Sequence, residues 1–578
     1  MFVRREAPGG CRSVIKAPES PDAFKNASWA DVVPYYEELA SRPLDVGNVE
    51  TWLADWSLLE ALVTEAASLA HFAYVCDTAD PQLEAAHLRF GTEIGPKADE
   101  QGIRLQTRLV ELGYVRPGLE GVVQRFRNQM QLFDERNVPL FAQLTEMTAH
   151  WSKVSGAMTV DWDGAEKTPD QLRPYLEHPD RDVRERAFKG RAKPYLERRD
   201  ELAGIFEGMY DVRQQVAANA GFANFRDFTH REKNRFDYTP DDCLRFHEAV
   251  EEVVTPAVQR ILGRRRSEMG LTELRPWDLE VDQKGGPPLR PFQDITTLID
   301  RAGDVFYHVE PDFRGYYRQM ADANLLDLEN RKGKAPGGFC DTLAFRKLPL
   351  IFMNAVGING DVRTLLHESG HAFHAFAASQ QPLVFERFPG HEMAEVASMS
   401  MELLADPFLD VDHGGYYTPG EARRSRAQLL EAIVLFFPHC ASVDAFQHWT
   451  YIDKNGRDRD ARDQKWLELR RRFEGEAVDW RGLDSERIAR WYQQPHFFSS
   501  PFYYIEYGIA QLGALQIWRN SLHDRREAVR KYRVALSLGA TRSLPELFAA
   551  AGARLIFDSQ GIRELVSLVE DELAAAVA

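Results

Sequence analysis

The sequence has few cysteines for its length, no long hydrophobic run and no excess of basic residues. Five cysteines occur in 578 residues, an odd number without any Cys-x-x-Cys spacing. This distribution argues against a disulfide framework and is typical of a protein in a reducing compartment. The longest apolar runs, such as residues 432–437, are far too short to span a bilayer.

Acidic residues outnumber basic residues, and the net charge is −17. A chain with this charge is a poor binder of nucleic acid or of an anionic membrane, so we expect neither as a partner. The N-terminus leads into proline, glycine and serine and not into the apolar segment of a signal peptide. We therefore expect a cytoplasmic protein, and the sequence carries no indication of its oligomeric state.

Helical periodicity dominates the chain. Apolar residues recur at spacings of three and four between Trp29 and about Phe133, and the pattern returns over residues 180–270 and beyond residue 360. We therefore predict a mainly α-helical protein. A length of 578 residues exceeds a single hydrophobic core, so more than one lobe is expected.

Two regions depart from this periodicity. Residues 156–164 end with an Asp-Gly pair, which is typical of a tight turn. This segment predicts a short strand or hairpin. Residues 339–345 and 348–354 predict two further β-strands. An edge strand at this point could hold an extended peptide by main-chain hydrogen bonds, which are indifferent to side-chain identity.

The stretch directly after these strands contains the pattern His-Glu-x-x-His. His367 and His371 lie four residues apart, so a helix places both imidazoles within reach of one metal ion. Glu368 follows the first histidine, where a carboxylate can take the proton of a metal-activated water. The flanks are apolar and predict a buried helix, in which these polar groups need a partner such as a metal. The pattern predicts one zinc ion per chain.

Two histidines do not complete the site, because a catalytic zinc usually has three protein ligands and one open position. The residues after His371 lack the glycine and histidine of the longer histidine motif. His374 is interpreted either as a residue that supports a ligand from behind or as a packing residue. Glu395 and Glu402 lie seven residues apart and share a helix face, so one could bind zinc while the other orients a ligand histidine. Spacing alone does not choose between Glu392 and Glu395. The carboxylate candidates are Glu386, Glu392, Glu395, Glu402 and Asp406.

The zinc motif together with Ala-Glu-Val-Ala-Ser at residues 394–398 resembles the oligoendopeptidase F branch of the thimet oligopeptidase family of zinc metallopeptidases. This resemblance implies that Glu395 is the third zinc ligand and that Glu402 supports a ligand histidine. The chain departs from the family pattern at Ser369, which is not expected to touch the metal. Similar segments cover most of the chain from about residue 100, at residues 155–158, 175–181, 338–340, 350–354 and 495–508.

Residues 495–508 are rich in histidine and tyrosine. Amide hydrolysis builds negative charge on the scissile oxygen, and a neutral donor aimed at that oxygen would stabilise it. Tyr504 and Tyr507 are three residues apart and could share a helix face, with His496 just upstream. Aromatic runs of this kind are otherwise typical of a hydrophobic core. The resemblance implies a catalytic role for His496 and for one of the two tyrosines, and the choice between them stays open.

The resemblance also implies a two-lobed helical body with a deep substrate channel and a small β-sheet beside the zinc-binding helix. We expect a flexible N-terminal lead-in over residues 1–25 and an N-terminal helical lobe over residues 26–190. Residues 191–578 would then form the catalytic zinc metallopeptidase region. The remaining scattered histidines, such as His439 and His448, are interpreted as core or surface residues.

The predicted function is that of a zinc-dependent oligoendopeptidase, which cleaves internal bonds of short peptides with Glu368 as the general base. A zinc carboxypeptidase or dipeptidase of similar helical build is one alternative, and it would require a free substrate terminus. A catalytically silent peptide-binding protein is another. A purely structural zinc site is disfavoured because Glu368 adjoins the proposed ligands.

Overall fold

The computed structural model describes residues 16–331, 333–335 and 337–577, and these residues form mainly α-helices, which confirms the predicted fold class. In chain order the α-helices are α1 (Trp29–Ser41), α2 (Val49–Cys76), α3 (Pro81–Arg89), α4 (Gly95–Leu112), α5 (Glu120–Leu132), α6 (Val138–Gly156), α7 (Arg181–Glu197), α8 (Arg199–Asn219), α9 (Phe225–Glu232), α10 (Pro240–Ala249), α11 (Thr255–Glu268), α12 (Ile295–Val309), α13 (Pro311–Asp322), α14 (Asn359–Ala378), α15 (His391–Ala405), α16 (Pro419–Ile452), α17 (Arg459–Glu474), α18 (Asp484–Tyr492), α19 (His496–Ser499), α20 (Tyr504–His523), α21 (Arg525–Ser537), α22 (Leu544–Ala550) and α23 (Ser559–Val577). The strands are β1 (Val160–Trp162), β2 (Ala165–Lys167), β3 (Leu326–Glu329), β4 (Phe339–Leu343) and β5 (Leu348–Ala355).

Two small sheets interrupt the helices. The sequence predicts the hairpin and the strands β4 and β5, whereas β3 is an additional strand that the sequence analysis did not name. β1 and β2 form an antiparallel hairpin whose turn residues, Asp163 and Gly164, both have positive φ, a conformation that an Asp-Gly pair favours. In the second sheet β5 is central, with β3 parallel on one side and β4 antiparallel on the other. β4 is therefore an edge strand, and it lies directly before the turn and strand that lead into α14.

In the described part of the chain the buried hydrophobic residues form one large cluster, a separate N-terminal cluster and three smaller clusters. The N-terminal cluster runs from Phe24 to Phe126 and takes in Leu383 from the distant part of the chain. Of the predicted lead-in, residues 1–15 lie outside the described part, while Pro21–Phe24 form a short 3-10 helix with Phe24 buried. The proposed division of the chain near residue 190 stays a prediction.

The zinc-motif helix α14 starts almost directly after β5. Asp361 in its first turn accepts hydrogen bonds from the main-chain N–H groups of Val356, Gly357 and Ile358, at 2.8, 2.7 and 2.9 Å. These groups belong to the turn between strand and helix, so one carboxylate satisfies three donors that the turn would otherwise leave unpaired. The turn therefore fixes α14 against the end of β5.

The crossing of α14 and α15 is unusually close, and Gly370 within the motif makes it possible. A Cβ atom at this position would lie 2.6 Å from Cα of Ser398 and 2.7 Å from the carbonyl oxygen of Ala397. Only glycine leaves room for this approach. Residues 394–398 therefore lie directly beside the two histidines of α14.

Two helices, α2 and α16, are long and apolar enough to cross a membrane by length and composition alone. In α16, 78% of the apolar window is buried within the protein, and in α2 the share is 39%. The core helices of globular proteins pass the same test, so this criterion is weak evidence for a membrane span. α2 supplies much of the N-terminal cluster, including Trp52, Trp56 and Leu62.

Candidate active site

His367 and His371 occupy successive turns of α14, with ring centroids 5.0 Å apart. Both side chains are partly buried, at 21% and 19% exposure. Burial lowers the pKa of His371 to about 4, so this imidazole is neutral at pH 7, the form that binds metals. The helical spacing predicted from the sequence thus places two nitrogen donors side by side.

Glu395 on α15 faces these histidines. Its Oε2 atom lies 3.3 Å from Nε2 of His367 and 3.6 Å from Nε2 of His371. The three side chains form one of the groups in the described chain whose ligand atoms lie close enough to share a metal ion. Glu392, the alternative that spacing left open, accepts a hydrogen bond from the hydroxyl of Tyr238 at 2.7 Å instead.

Two other carboxylate candidates face away from the histidines. Glu386 pairs with Arg116 at 2.8 Å, and Asp406 lies 3.7 Å from Arg426. Glu402 lies on the far side of the first histidine, where Nδ1 of His367 donates a hydrogen bond to its Oε1 at 2.8 Å. That bond holds the proton on Nδ1, and Nε2 is the ring nitrogen that faces Glu395 and that a metal between the two side chains would use.

The donor set fits zinc. Bonds of about 2.0–2.1 Å at tetrahedral angles place neighbouring nitrogen and oxygen ligands about 3.3 Å apart. The measured separations of 3.3 and 3.6 Å match this value closely. Two imidazole nitrogens and one carboxylate form a donor set typical of catalytic zinc, with one position left for water or substrate.

Glu368 is buried beside these donors, on the same helix. The main-chain N–H of Cys340 in the edge strand β4 is near enough to its carboxylate to oppose part of the rise in its pKa. Burial raises the pKa of Glu368 to about 7, and a group with a pKa near the working pH is suited to take up and release a proton. The carboxylate of Glu368 on α14 therefore faces the edge strand β4.

The histidine- and tyrosine-rich segment, residues 495–508, lies on the side of Glu395 that does not face His367 and His371. Burial lowers the pKa of His496 to about 4, so its ring is a neutral donor at pH 7. The ring of Tyr507 lies 5.8 Å from that of His496, and no other described side chain accepts a hydrogen bond from its hydroxyl. The hydroxyl of Tyr504 instead lies 3.2 Å from Nε2 of His439, on the side of α16.

Sequence reasoning missed Tyr503. Its hydroxyl donates a hydrogen bond to Oε1 of Glu395 at 2.7 Å, the oxygen that does not face the histidines. The same hydroxyl lies 3.3 Å from Nδ1 of His391, a second residue that the sequence did not single out. Tyr503 precedes Tyr507 by four residues, and this helical spacing was the signal that could have found it.

His374 fits its interpretation as a packing residue. It is 5% exposed, and its side chain is outside the group formed by His367, His371 and Glu395. Burial lowers the pKa of His374 to about 3, so the ring is neutral. Its position seven residues after His367 therefore does not make it a fourth donor.

The chain is similar to known peptidases. The sequence model of peptidase family M3 matches residues 174–567. A plasmid-encoded oligoendopeptidase F of Lactococcus lactis subsp. cremoris is 23% identical over 312 residues, which cover 51% of this chain and 48% of that protein. The oligopeptidase PepF of Bacillus subtilis is 20% identical over 406 residues, covering 68% of this chain and 57% of that protein. The chain thus spans only about half the length of these curated relatives.

Solved structures match over a greater length. PZ peptidase A, solved with an inhibitor, superposes with a TM-score of 0.88 at 25% identity, covering 97% of this chain and 99% of the other. The oligoendopeptidase F of Enterococcus faecium shares the fold with a TM-score of 0.61 at 15% identity, over 95% of this chain and 96% of that protein. Because the family match covers more than half of the chain, we conclude that this protein belongs to peptidase family M3, and that the resemblance to oligoendopeptidase F is confirmed.

Proposed function

We propose that this protein is a zinc-dependent oligoendopeptidase that hydrolyses internal bonds of short peptides. The observation that carries the proposal is the convergence of three donor side chains, His367, His371 and Glu395, beside the buried carboxylate of Glu368. Membership of peptidase family M3 supports the same reaction class.

His367, His371 and Glu395 would hold one zinc ion per chain. When bound, zinc would act as a Lewis acid that polarises the scissile carbonyl and makes a water molecule more acidic. Glu402 orients His367 through its hydrogen bond to Nδ1, and Tyr503 orients Glu395 in the same way. These two contacts keep the donor atoms directed at a common point.

Glu368 is the proposed general base. Its carboxylate accepts a proton from the attacking water and then passes it to the leaving amine. A pKa raised to about 7 by burial suits both transfers, because neither form of the acid is strongly favoured near neutral pH. The position of Glu368 against β4 brings this carboxylate to a peptide held along that strand.

The developing oxyanion needs neutral hydrogen-bond donors. Tyr507 and His496 are proposed for this role, since the Tyr507 hydroxyl makes no hydrogen bond to another described side chain and His496 is neutral. Tyr504 is the weaker candidate because its hydroxyl contacts His439. Tyr503 stays a further donor if substrate binding displaces its contact with Glu395.

A restriction to short peptides is proposed together with the two-lobed channel. Contacts at both ends of β4 support it. The main-chain N–H of Thr78 donates to the carbonyl oxygen of Gly333 before the strand, at 2.8 Å. After the strand, the buried carboxylate of Glu65 accepts hydrogen bonds from the main-chain N–H groups of Phe345 and Arg346, each at 2.8 Å. The N-terminal helices would thus border the place where a peptide binds.

We also propose that the protein acts in the cytoplasm. Among the described residues Cys76, Cys243, Cys340 and Cys440 are free thiols. Free cysteines are typical of a reducing compartment. The proposed partners are short peptides alone.

The first test uses an internally quenched peptide of about eight residues that is blocked at both ends. The proposal expects internal cleavage that stops on chelation and returns on addition of Zn²⁺. Cleavage of a free peptide but not of the blocked one would favour the carboxypeptidase or dipeptidase. Binding of both peptides without cleavage would favour the silent binding protein.

The second test replaces Glu368 with Gln, which keeps the size of the side chain but removes its basicity. We expect Glu368→Gln to bind one zinc ion with unchanged affinity and to lose at least about 10²-fold in kcat. If the zinc ion were purely structural, turnover would not depend on Glu368. Near-normal turnover by the variant would therefore refute the role of Glu368.

A further inference from the structure

A second group of side chains of the types that bind metals lies between α10 and α16, outside the proposed active site. Cys243 and His247 lie four residues apart on α10, and Asp444 and His448 lie four residues apart on α16. Each pair therefore occupies one helix face. Cys243 and His247 are buried at 1% and 2% exposure, and Asp444 and His448 at 0% and 7%.

The four side chains converge on one another. Ligand atoms of Cys243, Asp444 and His448 all lie within 4.8 Å of one another. Nε2 of His247 donates a hydrogen bond to Oδ2 of Asp444 at 2.8 Å, and Nε2 of His448 lies 3.3 Å from the same oxygen.

The group has unsatisfied polar atoms. Oδ1 of Asp444 and Nδ1 of His448 are buried, and neither has a hydrogen-bond partner within the described chain. Sγ of Cys243 has one distant contact, 3.6 Å from the carbonyl oxygen of Thr239. Buried polar atoms are normally paired, and those that are not need a reason, of which a bound ion is one.

The charge of Asp444 also favours a bound cation. Its described ion-pair partners are the two histidines, and no described lysine or arginine pairs with it. A fully buried carboxylate needs a compensating positive charge. A divalent cation bound by one thiolate and one carboxylate would make the buried group neutral overall.

We propose that Cys243, Asp444 and His448 form a second, structural zinc site between α10 and α16, with His247 holding the Asp444 carboxylate. Sulfur and imidazole donors select zinc over magnesium or calcium, which prefer oxygen. The site goes beyond the proposed peptidase function and does not depend on it. It contains a sulfur donor, whereas His367, His371 and Glu395 supply none.

The position of this site suggests what it would support. The ring of His448 lies 5.7 Å from that of Phe502, and Oε1 of the neighbouring Gln447 accepts the main-chain N–H of Phe502 at 2.7 Å. Phe502 has φ +61°, a conformation that a side chain of this size rarely adopts. It directly precedes Tyr503, so a metal here would brace the segment that carries the active-site tyrosines.

Zinc content measured by mass spectrometry tests the proposal. The full chain is loaded with Zn²⁺, freed of excess metal, and compared with Cys243→Ser, His448→Gln and the control Cys76→Ser, which removes a half-buried thiol elsewhere. We expect Cys243→Ser and His448→Gln each to hold one equivalent less than Cys76→Ser. The variant His371→Ala, which removes a proposed active-site ligand, should keep this second equivalent. Equal zinc content in Cys243→Ser and Cys76→Ser would overturn the proposal.

Cobalt substitution gives a readout that does not depend on activity. Thiolate bound to Co²⁺ absorbs strongly in the near ultraviolet, whereas nitrogen and oxygen ligands do not. We expect this band in the wild-type protein, in Cys76→Ser and in His371→Ala, and its loss in Cys243→Ser. If Cys243→Ser fails to fold, the wild-type spectrum and the zinc content of His448→Gln still decide the matter. A wild-type protein without the thiolate band would overturn the assignment.

Discussion

Gly370 lies at a close approach of α14 to α15, and its replacement by alanine tests how the site is assembled. The added Cβ would lie 2.6 Å from Cα of Ser398 and 2.7 Å from the carbonyl oxygen of Ala397. Both contacts are with main-chain atoms, so no side chain can rotate to relieve them. The helices would have to separate by about 1 Å to reach ordinary van der Waals contact.

The magnitude follows from two opposing effects. Overpacking of this kind destabilises a protein by about 1–3 kcal/mol, whereas alanine gains about 0.5–1 kcal/mol over glycine within a helix. We therefore expect Gly370→Ala to lose about 1–2 kcal/mol of stability. A displacement of about 1 Å between Glu395 and the two histidines should also weaken zinc binding and lower kcat/KM about 10²-fold.

The assay compares Gly370→Ala with Gly360→Ala by thermal unfolding, zinc affinity and kcat/KM on the quenched peptide. Gly360 is a matched control because it lies in the same helix, where an added Cβ would make an ordinary contact of 3.7 Å with Ile358. We expect Gly360→Ala to keep the zinc affinity and turnover of the wild type. Equal zinc affinity and equal kcat/KM in the two variants would refute the reasoning.

Three further predictions follow from the side chains around the site and from the N-terminal cluster. Glu402→Gln removes the charge beside Nδ1 of His367, and we expect zinc affinity to fall about 10–100-fold in a chelator competition. Tyr503→Phe removes the hydroxyl that holds Glu395 and should also weaken zinc binding, whereas Tyr504→Phe should not. Burial raises the pKa of Glu60 to about 7, so its contribution to stability is present below its ordinary value of 4.5 and is lost as the pH rises through 7. The neutral variant Glu60→Gln should therefore raise the melting temperature more at pH 8 than at pH 5.

Each of these expectations has a clear contrary result. Unchanged zinc affinity in Glu402→Gln would show that the hydrogen bond to His367 does not orient the ligand. Equal zinc affinity in Tyr503→Phe and Tyr504→Phe would remove the distinction between the two tyrosines. A gain in melting temperature for Glu60→Gln that is the same at both pH values would mean that the ionisation of Glu60 does not affect stability.

Several features followed from the sequence because they depend on residues close together in the chain. The four-residue spacing of His367 and His371 places both rings on one face of any helix that contains them. The Asp163-Gly164 pair supplies two residues that tolerate positive φ, and the hairpin forms around them. The strands before α14 were visible for the same reason, since their pattern and their turn are local.

The third proposed ligand could not be chosen from spacing. Glu392 and Glu395 lie on the same helix, and only the packing of that helix decides which carboxylate faces α14. The close crossing at Gly370 turns Glu395 toward the histidines, while Glu392 meets the hydroxyl of Tyr238. The resemblance to a known family pointed to Glu395, but the physical reason lies in this crossing.

By itself, then, the sequence determined the helical character, the strands beside the motif and the pairing of His367 with His371. The tertiary structure decided the partners that come from distant parts of the chain. Tyr503 meets Glu395 across 108 positions, and His247 meets Asp444 across 197. Local patterns carry no information about such pairs, because which faces of two helices meet depends on the packing of the whole core.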